Sequence, residues 1–179
     1  MAGPVLLIEL PEPVPDAALA DLRRMLFHMS GRFEERRPGA YDLTVCARHL
    51  GIVEDETPGA HRPFLVTVHG PGIGEEEWFE AEHLESPDFP AYIGFEPTQS
   101  VNVAAMSNGQ IDHVANALLT AAIMDVVGGV ANVEVDDRHV PAVADLEGLI
   151  ALVPEHSTAF GTPAFLRAWA AHPEFCLVK

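Results

Sequence analysis

The chain has 179 residues and a formal net charge of −17, because 27 acidic residues face only ten lysines and arginines. This charge argues against binding to nucleic acid or to an anionic membrane, since both need a cationic surface. With 48% hydrophobic residues the chain is able to build a core, so we expect one folded domain over residues 1–179.

Neither a membrane span nor a secretion signal is predicted. The longest apolar run, 114–127, is interrupted by polar residues and falls short of the length that a bilayer requires. The start of the chain, residues 1–4, lacks the basic residues with which a signal peptide begins. We therefore expect a cytoplasmic protein.

The chain opens with the pattern of a strand followed by a helix. Residues 4–10 are mostly apolar and predict a strand, and the prolines of 11–15 form an extended connector. Asp16 is predicted to cap a helix in which leucines recur at helical spacing, and Gly31 is predicted to close it.

The next segment reads as a loop, two strands and a short helix. Residues 32–39 mix both signs of charge and are predicted to form a loop. Apolar and polar residues alternate over 41–48 and 64–69, which predicts two half-buried strands. A glycine loop over 70–77 then leads into a short helix over 75–84.

The second half predicts a strand over 100–106 and a long helix that ends near Val127, before two glycines. Ser107 and Gln110 have the spacing of a capping box at the start of this helix. Because the helix is apolar nearly all round, we expect it to be covered on most sides.

The C-terminal quarter predicts a strand over 130–135 and a helix over 143–153. Thr162 and the proline after it are typical of a helix start, so a last helix is predicted over 164–171. A final strand is predicted over 175–178.

This order of elements predicts an α+β fold with a mainly antiparallel or mixed sheet and helices packed on one face. The central strands follow one another without helices between them, which argues against a doubly wound parallel sheet.

The glycines of 70–74 lie where a phosphate-binding loop would be found, between a strand and a helix. Three glutamates follow at once, Glu75, Glu76 and Glu77, and their charge would repel a phosphate at the same place. The pattern also lacks the lysine of a phosphate loop. We therefore interpret this segment as a structural loop without a cofactor.

Residues 51–150 carry 18 acidic residues and only two arginines, so this stretch holds nearly all of the net charge. The acids are densest around Trp78 and Phe79. One interpretation is a solvated face with at least one aromatic anchored in the core, and the other is a surface that steers and anchors a basic protein partner. The candidate partner-binding residues are Glu75, Glu76, Glu77, Trp78, Phe79, Glu80, Glu82 and Glu85, helped by Glu54, Asp55 and Glu56.

An alternative is an enzyme or small-ligand-binding protein whose site is assembled from distant residues. Its candidate members are His69, His83, Asp112 and His113, although none has the spacing of a known metal or catalytic motif. We accordingly predict no catalytic residues, metal or cofactor. A homodimer formed through the long apolar helix is a further possibility.

Several segments resemble a family of small uncharacterised actinobacterial proteins of unknown function. They are the proline-rich connector and helix start of 11–22, the segment 93–97, and the helix start and end at 108–113 and 128–129. The resemblance implies no activity and no catalytic residues.

The size, the acidity and the lack of catalytic motifs are also similar to those of immunity proteins from bacterial toxin systems. This looser resemblance implies a protein that binds a basic toxin domain and blocks its active site. The hypothesis from sequence is therefore a non-enzymatic acidic binding protein, in the specific form of an immunity protein.

Overall fold

A computed structural model describes residues 3–53, 61–84 and 88–178. Eight strands and six helices lie within these described ranges. The strands are β1 (Val5–Leu10), β2 (Ser30–Arg37), β3 (Ala40–Cys46), β4 (His61–His69), β5 (Gln99–Ala105), β6 (Val130–Glu134), β7 (Leu149–Val153) and β8 (Thr158–Gly161). The helices are α1 (Asp16–Met29), α2 (Glu76–His83), α3 (Phe89–Ile93), α4 (Gln110–Val127), α5 (Val140–Val143) and α6 (Pro163–Ala170).

All eight strands join one sheet, in the order β2, β3, β4, β5, β1, β6, β8, β7. Every pairing between neighbours is antiparallel, which confirms the predicted α+β fold class. The first strand of the chain, β1, lies inside the sheet between β5 and β6. Ile8 and Glu9 of β1 point to opposite faces of the sheet, and both are fully buried.

One face of the sheet carries the main core. Ile8, Val101 and Ala131 lie side by side on it and are fully buried. Helices α1, α4 and α6 pack on this face, where Leu22, Leu119 and Trp169 join the same cluster, as do other apolar residues of these helices. These three helices have the predicted placement on one face, which α2 and α3 do not share, and α4 is covered on most sides as expected.

The short helices α2 and α3 lie on the opposite face. Phe89 of α3 joins Val130 and Phe160 of the sheet in a second, smaller apolar cluster. Glu9 of β1 faces the same side, because it is paired with Val130. The second face is thus partly apolar and partly polar, and α2 covers its polar part.

The elements with regular apolar spacing are confirmed with small shifts at their ends. The predicted strands at 4–10, 41–48, 64–69 and 100–106 correspond to β1, β3, β4 and β5, and the strand at 130–135 corresponds to β6. The predicted first, long and last helices correspond to α1, α4 and α6. Shifts of one or two residues at the ends, as at Asp16, are ordinary for helix boundaries, and β4 begins three residues earlier than predicted.

The predicted loop at 32–39 is wrong, because most of it belongs to the edge strand β2. This strand pairs with β3 through Phe33 and Leu43, and its outward arginines form ion pairs such as Arg36 with Asp42 at 2.5 Å. Charged side chains are typical of an edge strand, where they discourage pairing with other chains. The mixed charges therefore mark a sheet edge instead of a loop.

The predicted capping box at Ser107 is also wrong. Helix α4 begins at Gln110, and the carboxylate of Asp112 accepts a hydrogen bond of 2.6 Å from the backbone N–H of Gly109. The amide of Gln110 instead donates to the backbone carbonyl of Phe175, at 3.1 Å.

The predicted helix at 143–153 is wrong as well. Only the short α5 is helical, and Gly148 with φ of +81° turns the chain into strand β7. An apolar run of five residues does not distinguish a strand from a buried helix by its spacing alone. The neighbouring strand β8 was not predicted, and residues 175–178 are not a strand, although Phe175 and Leu177 are buried.

Across the described ranges, no helix combines the length and the hydropathy that crossing a bilayer requires.

Candidate functional site

A tight turn of glycines positions α2 against the sheet. The backbone N–H of Gly70 donates to the carbonyl of Gly74 at 3.0 Å, and the N–H of Gly72 donates to the carboxylate of Glu76 at 3.2 Å. Arg37 of the edge strand contacts the Glu75 carboxylate at 3.3 Å. The loop thus uses its own polar groups to start the helix, which agrees with its interpretation as a structural loop.

The outward side of α2 presents an exposed tryptophan among carboxylates. Trp78 is 64% exposed. It lines a shallow depression of about 420 Å³ together with Gly74, Glu75, Glu76 and Glu77. We call Glu75, Glu76, Glu77, Trp78 and Glu80 the acidic Trp78 surface.

Glu77 and Glu80 are the least constrained members of the acidic Trp78 surface. Both are exposed, and neither forms a hydrogen bond or ion pair with any residue in the described part of the chain. Their charges are therefore not neutralised by a described neighbour, and they are the best positions at which to change charge without disturbing the fold.

The inward side of α2 holds the other aromatic residue. The ring of Phe79 is half-buried and lies 4.3 Å from the ring of His83, measured between centroids. The side chain of Glu82 also points to the sheet and is only 21% exposed. One of the two aromatics is thus turned inward as expected, and Glu82 does not belong to the exposed surface.

On the sheet side of α2, its last residue His83 is paired with Glu9 of β1, whose carboxylate is fully buried. Nε2 of His83 lies 3.0 Å from Oε2 of Glu9, and Nδ1 of His83 lies 2.6 Å from the backbone carbonyl oxygen of Phe79. The other Glu9 oxygen, Oε1, accepts a hydrogen bond of 2.8 Å from the amide of Asn132. Both ring nitrogens of His83 therefore face an oxygen acceptor.

The protonation of His83 follows from these contacts. Burial favours the neutral imidazole and is the largest single influence on its pKa. The hydrogen bond and the negative charge of Glu9, with smaller contributions from the Phe79 carbonyl and Glu82, outweigh burial and raise the pKa of His83 above its usual value of 6.5. The arrangement thus favours an imidazolium that donates from both nitrogens.

A second set of polar side chains, Glu82, His69 and Asn102, lies beside the Glu9–His83 pair. The Glu82 carboxylate is 3.5 Å from Nδ1 of His69 on β4 and accepts a hydrogen bond of 3.3 Å from Asn102 on β5. Ser100, which is paired with both Glu9 and His69 across the sheet, is buried, and its hydroxyl has no hydrogen-bond partner within the described ranges. Helix α2 covers the face of β4 on which His69 lies, and His69 is buried.

The four residues of the predicted dispersed site divide between the two faces of the sheet. His69 of β4 and His83 of α2 both lie between α2 and the sheet, whereas Asp112 and His113 belong to α4 on the opposite face. Asp112 caps its helix and lies 3.4 Å from Arg62, and His113 accepts a hydrogen bond of 3.1 Å from the backbone N–H of Leu177. These contacts give Asp112 and His113 structural roles, so the four do not form one site.

The remaining candidate residues, Glu54, Asp55, Glu56 and Glu85, lie outside the described residues. Within the described ranges, no group of three or more histidine, cysteine, aspartate or glutamate side chains is placed to hold a metal ion.

The groove that would carry the predicted homodimer contact lies on the other side of the molecule. Half-buried Ile111, Val114 and Leu118 of α4 line it together with residues 51–53 and the end of α6, and its volume is about 650 Å³. The homodimer stays a prediction.

Sequence reasoning missed Glu9 and Asn132 as members of the site. The signal for Glu9 was a single charged residue inside an otherwise apolar run, Val5–Leu10. Lysine, arginine and carboxylate side chains are almost never fully buried unless they are paired, so a buried strand with one glutamate predicts a partner somewhere in the chain.

The fold and this site define an α+β protein with an antiparallel sheet, in which an acidic helix is held to the sheet by a buried Glu9–His83 pair. Residues 2–179 match a family of unknown function, DUF6368. The chain belongs to this family, and the predicted resemblance to a family without an assigned function is thereby confirmed. No curated protein and no solved structure matches the chain.

Proposed function

We propose that the protein is a non-enzymatic binding protein, and that the acidic Trp78 surface on α2 docks onto a basic protein partner. The observation that carries this proposal is the exposure of Trp78 at the centre of a group of carboxylates. Tryptophan buries a large area on association and is enriched among the residues that dominate binding energy in interfaces.

The distribution of charge supports a basic partner. Arg23 of α1 and Arg36 of β2 are already paired with Glu35 and Asp42, at 2.5 Å in each case. Glu77 and Glu80 have no such partner among the described residues. Unpaired carboxylates around an aromatic anchor attract a cationic surface and repel nucleic acid, and they accelerate the encounter more than they increase the final affinity.

The specific form of this proposal is an immunity protein. The basic partner would then be a toxin domain, and α2 would occupy the cleft in which that domain binds its own anionic substrate. The likeness of size, acidity and absent catalytic motifs supports this form. An immunity protein is expected to protect cells that express the toxin, and the substitutions described next are expected to remove that protection.

Charge reversal on α2 is expected to weaken binding to the partner. In pull-downs from the native cell, Glu77→Lys combined with Glu80→Lys should reduce recovery of the partner by about tenfold or more, since each reversal replaces an attraction by a repulsion. Trp78→Ala should reduce affinity by about 30-fold, as expected for an interface anchor worth about 2 kcal/mol. Raising the salt concentration to about 0.5 M should weaken the wild-type complex.

The matched control is Asp145→Lys combined with Glu147→Lys. These residues are exposed, lie outside α2 and change the net charge by the same amount. The proposal would be contradicted if the partner bound the charge-reversed α2 variant, Trp78→Ala and the control as tightly as it binds the wild type. It would also be contradicted if salt did not weaken the wild-type complex. Equal losses in the α2 variant and the control would show a general charge effect instead of docking by α2.

A further inference from the structure

Helix α2 is attached to the sheet largely by polar contacts. None of its residues is fully buried, and its inward side consists of half-buried Phe79 together with Glu82 and His83. A helix of eight residues has little stability of its own in water. Its position therefore depends on the contacts beneath it, among which the Glu9–His83 pair is the most deeply buried.

We propose that protonation of His83 holds α2 on the sheet, so that the acidic Trp78 surface is presented firmly when His83 is charged and is released when His83 is neutral. The second half of this inference rests on the proposed function, whereas the first half concerns the helix alone.

The atoms explain why the neutral form is weaker. The protonated ring donates from Nδ1 to the Phe79 carbonyl and from Nε2 to the Glu9 carboxylate. When one proton leaves and Nδ1–H keeps its carbonyl, the lone pair of Nε2 faces the carboxylate oxygen at 3.0 Å. The fully buried Glu9 carboxylate then loses both the hydrogen bond from His83 and the compensating positive charge of the ring. This loss is costly in a medium that excludes water.

The groups that face His83 come from every element around it. Glu9 on β1 and Glu82 on α2 are acidic, and both favour the charged ring. Asn132 on β6 holds Glu9, and Phe89 of α3 contacts the imidazole, with ring centroids 5.4 Å apart. His69 on β4 is the second titratable base, and it is linked to these residues by its contact with the Glu82 carboxylate.

The sign of the pH dependence follows from the direction of the shift. The pKa of His83 is raised by folding, so its contribution is fully present below its ordinary value of 6.5 and is lost as the pH rises through the raised value. Attachment of α2 should therefore weaken as the pH rises above 6.5.

Hydrogen exchange of the isolated protein tests this directly. We expect the protection of the α2 amides, corrected for intrinsic exchange, to be lost progressively as the pH is raised from about 6 to about 9. The amides of α4 serve as an internal reference and should keep their protection over the same range.

Two variants distinguish this mechanism from a loss of α2 protection at high pH that does not depend on His83. Glu9→Gln removes the charge, and its side-chain amide can donate to a neutral His83, so protection of α2 should now fall as the pH is lowered. His83→Gln removes the titrating group, so protection of α2 should become independent of pH. Protection in wild type that does not change with pH, or the same fall in both variants, would overturn the inference.

The outcome is distinguishable from a failure of the proposed function, because no partner is present in this experiment. If α2 loosens with pH but charge reversal leaves partner binding unchanged, the proposed function fails and the role of His83 stands. If α2 is insensitive to pH while charge reversal weakens binding, only the inference about His83 is lost.

Discussion

Replacing Glu9 by alanine is expected to lower the free energy of unfolding by about 3 to 5 kcal/mol, as measured by urea denaturation near neutral pH. Glu9 is fully buried and binds His83 and Asn132 through separate oxygens. Alanine leaves the partly buried His83 imidazolium and the partly buried Asn132 amide without this acceptor, and it also leaves a cavity.

The matched control is Glu12→Ala, in the exposed connector after β1. It should change stability by no more than about 0.5 kcal/mol. Replacing the pair together, as Glu9→Leu with His83→Phe, should restore most of the stability, because apolar residues of similar size often replace a buried ion pair without loss. A cost of less than about 1 kcal/mol for Glu9→Ala would show that the pair does not anchor α2.

The two tryptophans are expected to respond in opposite ways. Trp169 is 1% exposed, and its ring lies 5.4 Å from those of His172 and Phe175. Trp169→Ala should cost about 3 to 5 kcal/mol, because it empties the space between α6 and the C-terminal segment. Trp78→Ala should cost no more than about 0.5 kcal/mol, since the side chain is largely solvated.

This pair of substitutions separates folding from binding. If Trp78→Ala proves as destabilising as Trp169→Ala, then Trp78 is part of the folded core and is not available to a partner. If it leaves stability intact, a large exposed aromatic residue on this helix has no role in folding, and the proposed docking role gains support. Urea denaturation of both variants and of the wild type provides the comparison.

Much of the fold was predictable because its central elements have regular spacing. The alternation in β3 and β4 places Leu43 and Phe64 inward, and both are fully buried. The apolar pattern of α4 likewise predicted a covered helix. These patterns reflect burial, which a single sequence records directly.

The rest of the fold depends on neighbours that the sequence does not identify. Strand β2 is charged because it lies at the edge of the sheet, and its edge position is a property of the strand order. Strand β7 reads as either helix or strand, and only its pairing with β8, Leu152 opposite Ala159 for example, decides between them.

The candidate site divides in the same way. The acids around Trp78 and Phe79 were identified from local sequence, because they lie in or next to one short helix, but which of the two aromatics is exposed was left open. The pairing of Glu9 with His83 joins residues 74 positions apart, from a strand and a helix whose relative placement follows from the whole sheet. The positions of Glu9 and His83 in the sequence therefore did not indicate that this pair attaches α2 to the sheet.

Photo-crosslinking from residue 78 tests the central claim most directly. The photoreactive amino acid p-benzoylphenylalanine would replace Trp78, and in a control it would replace Phe27, an aromatic residue on α1 that is 57% exposed beside arginines. We predict that residue 78 crosslinks in the native cell to a basic protein, that residue 27 does not, and that Glu77→Lys with Glu80→Lys removes the product. Crosslinking of an acidic protein from residue 78, equal crosslinking from both positions, or none from residue 78 would contradict the claim that α2 docks onto a basic partner.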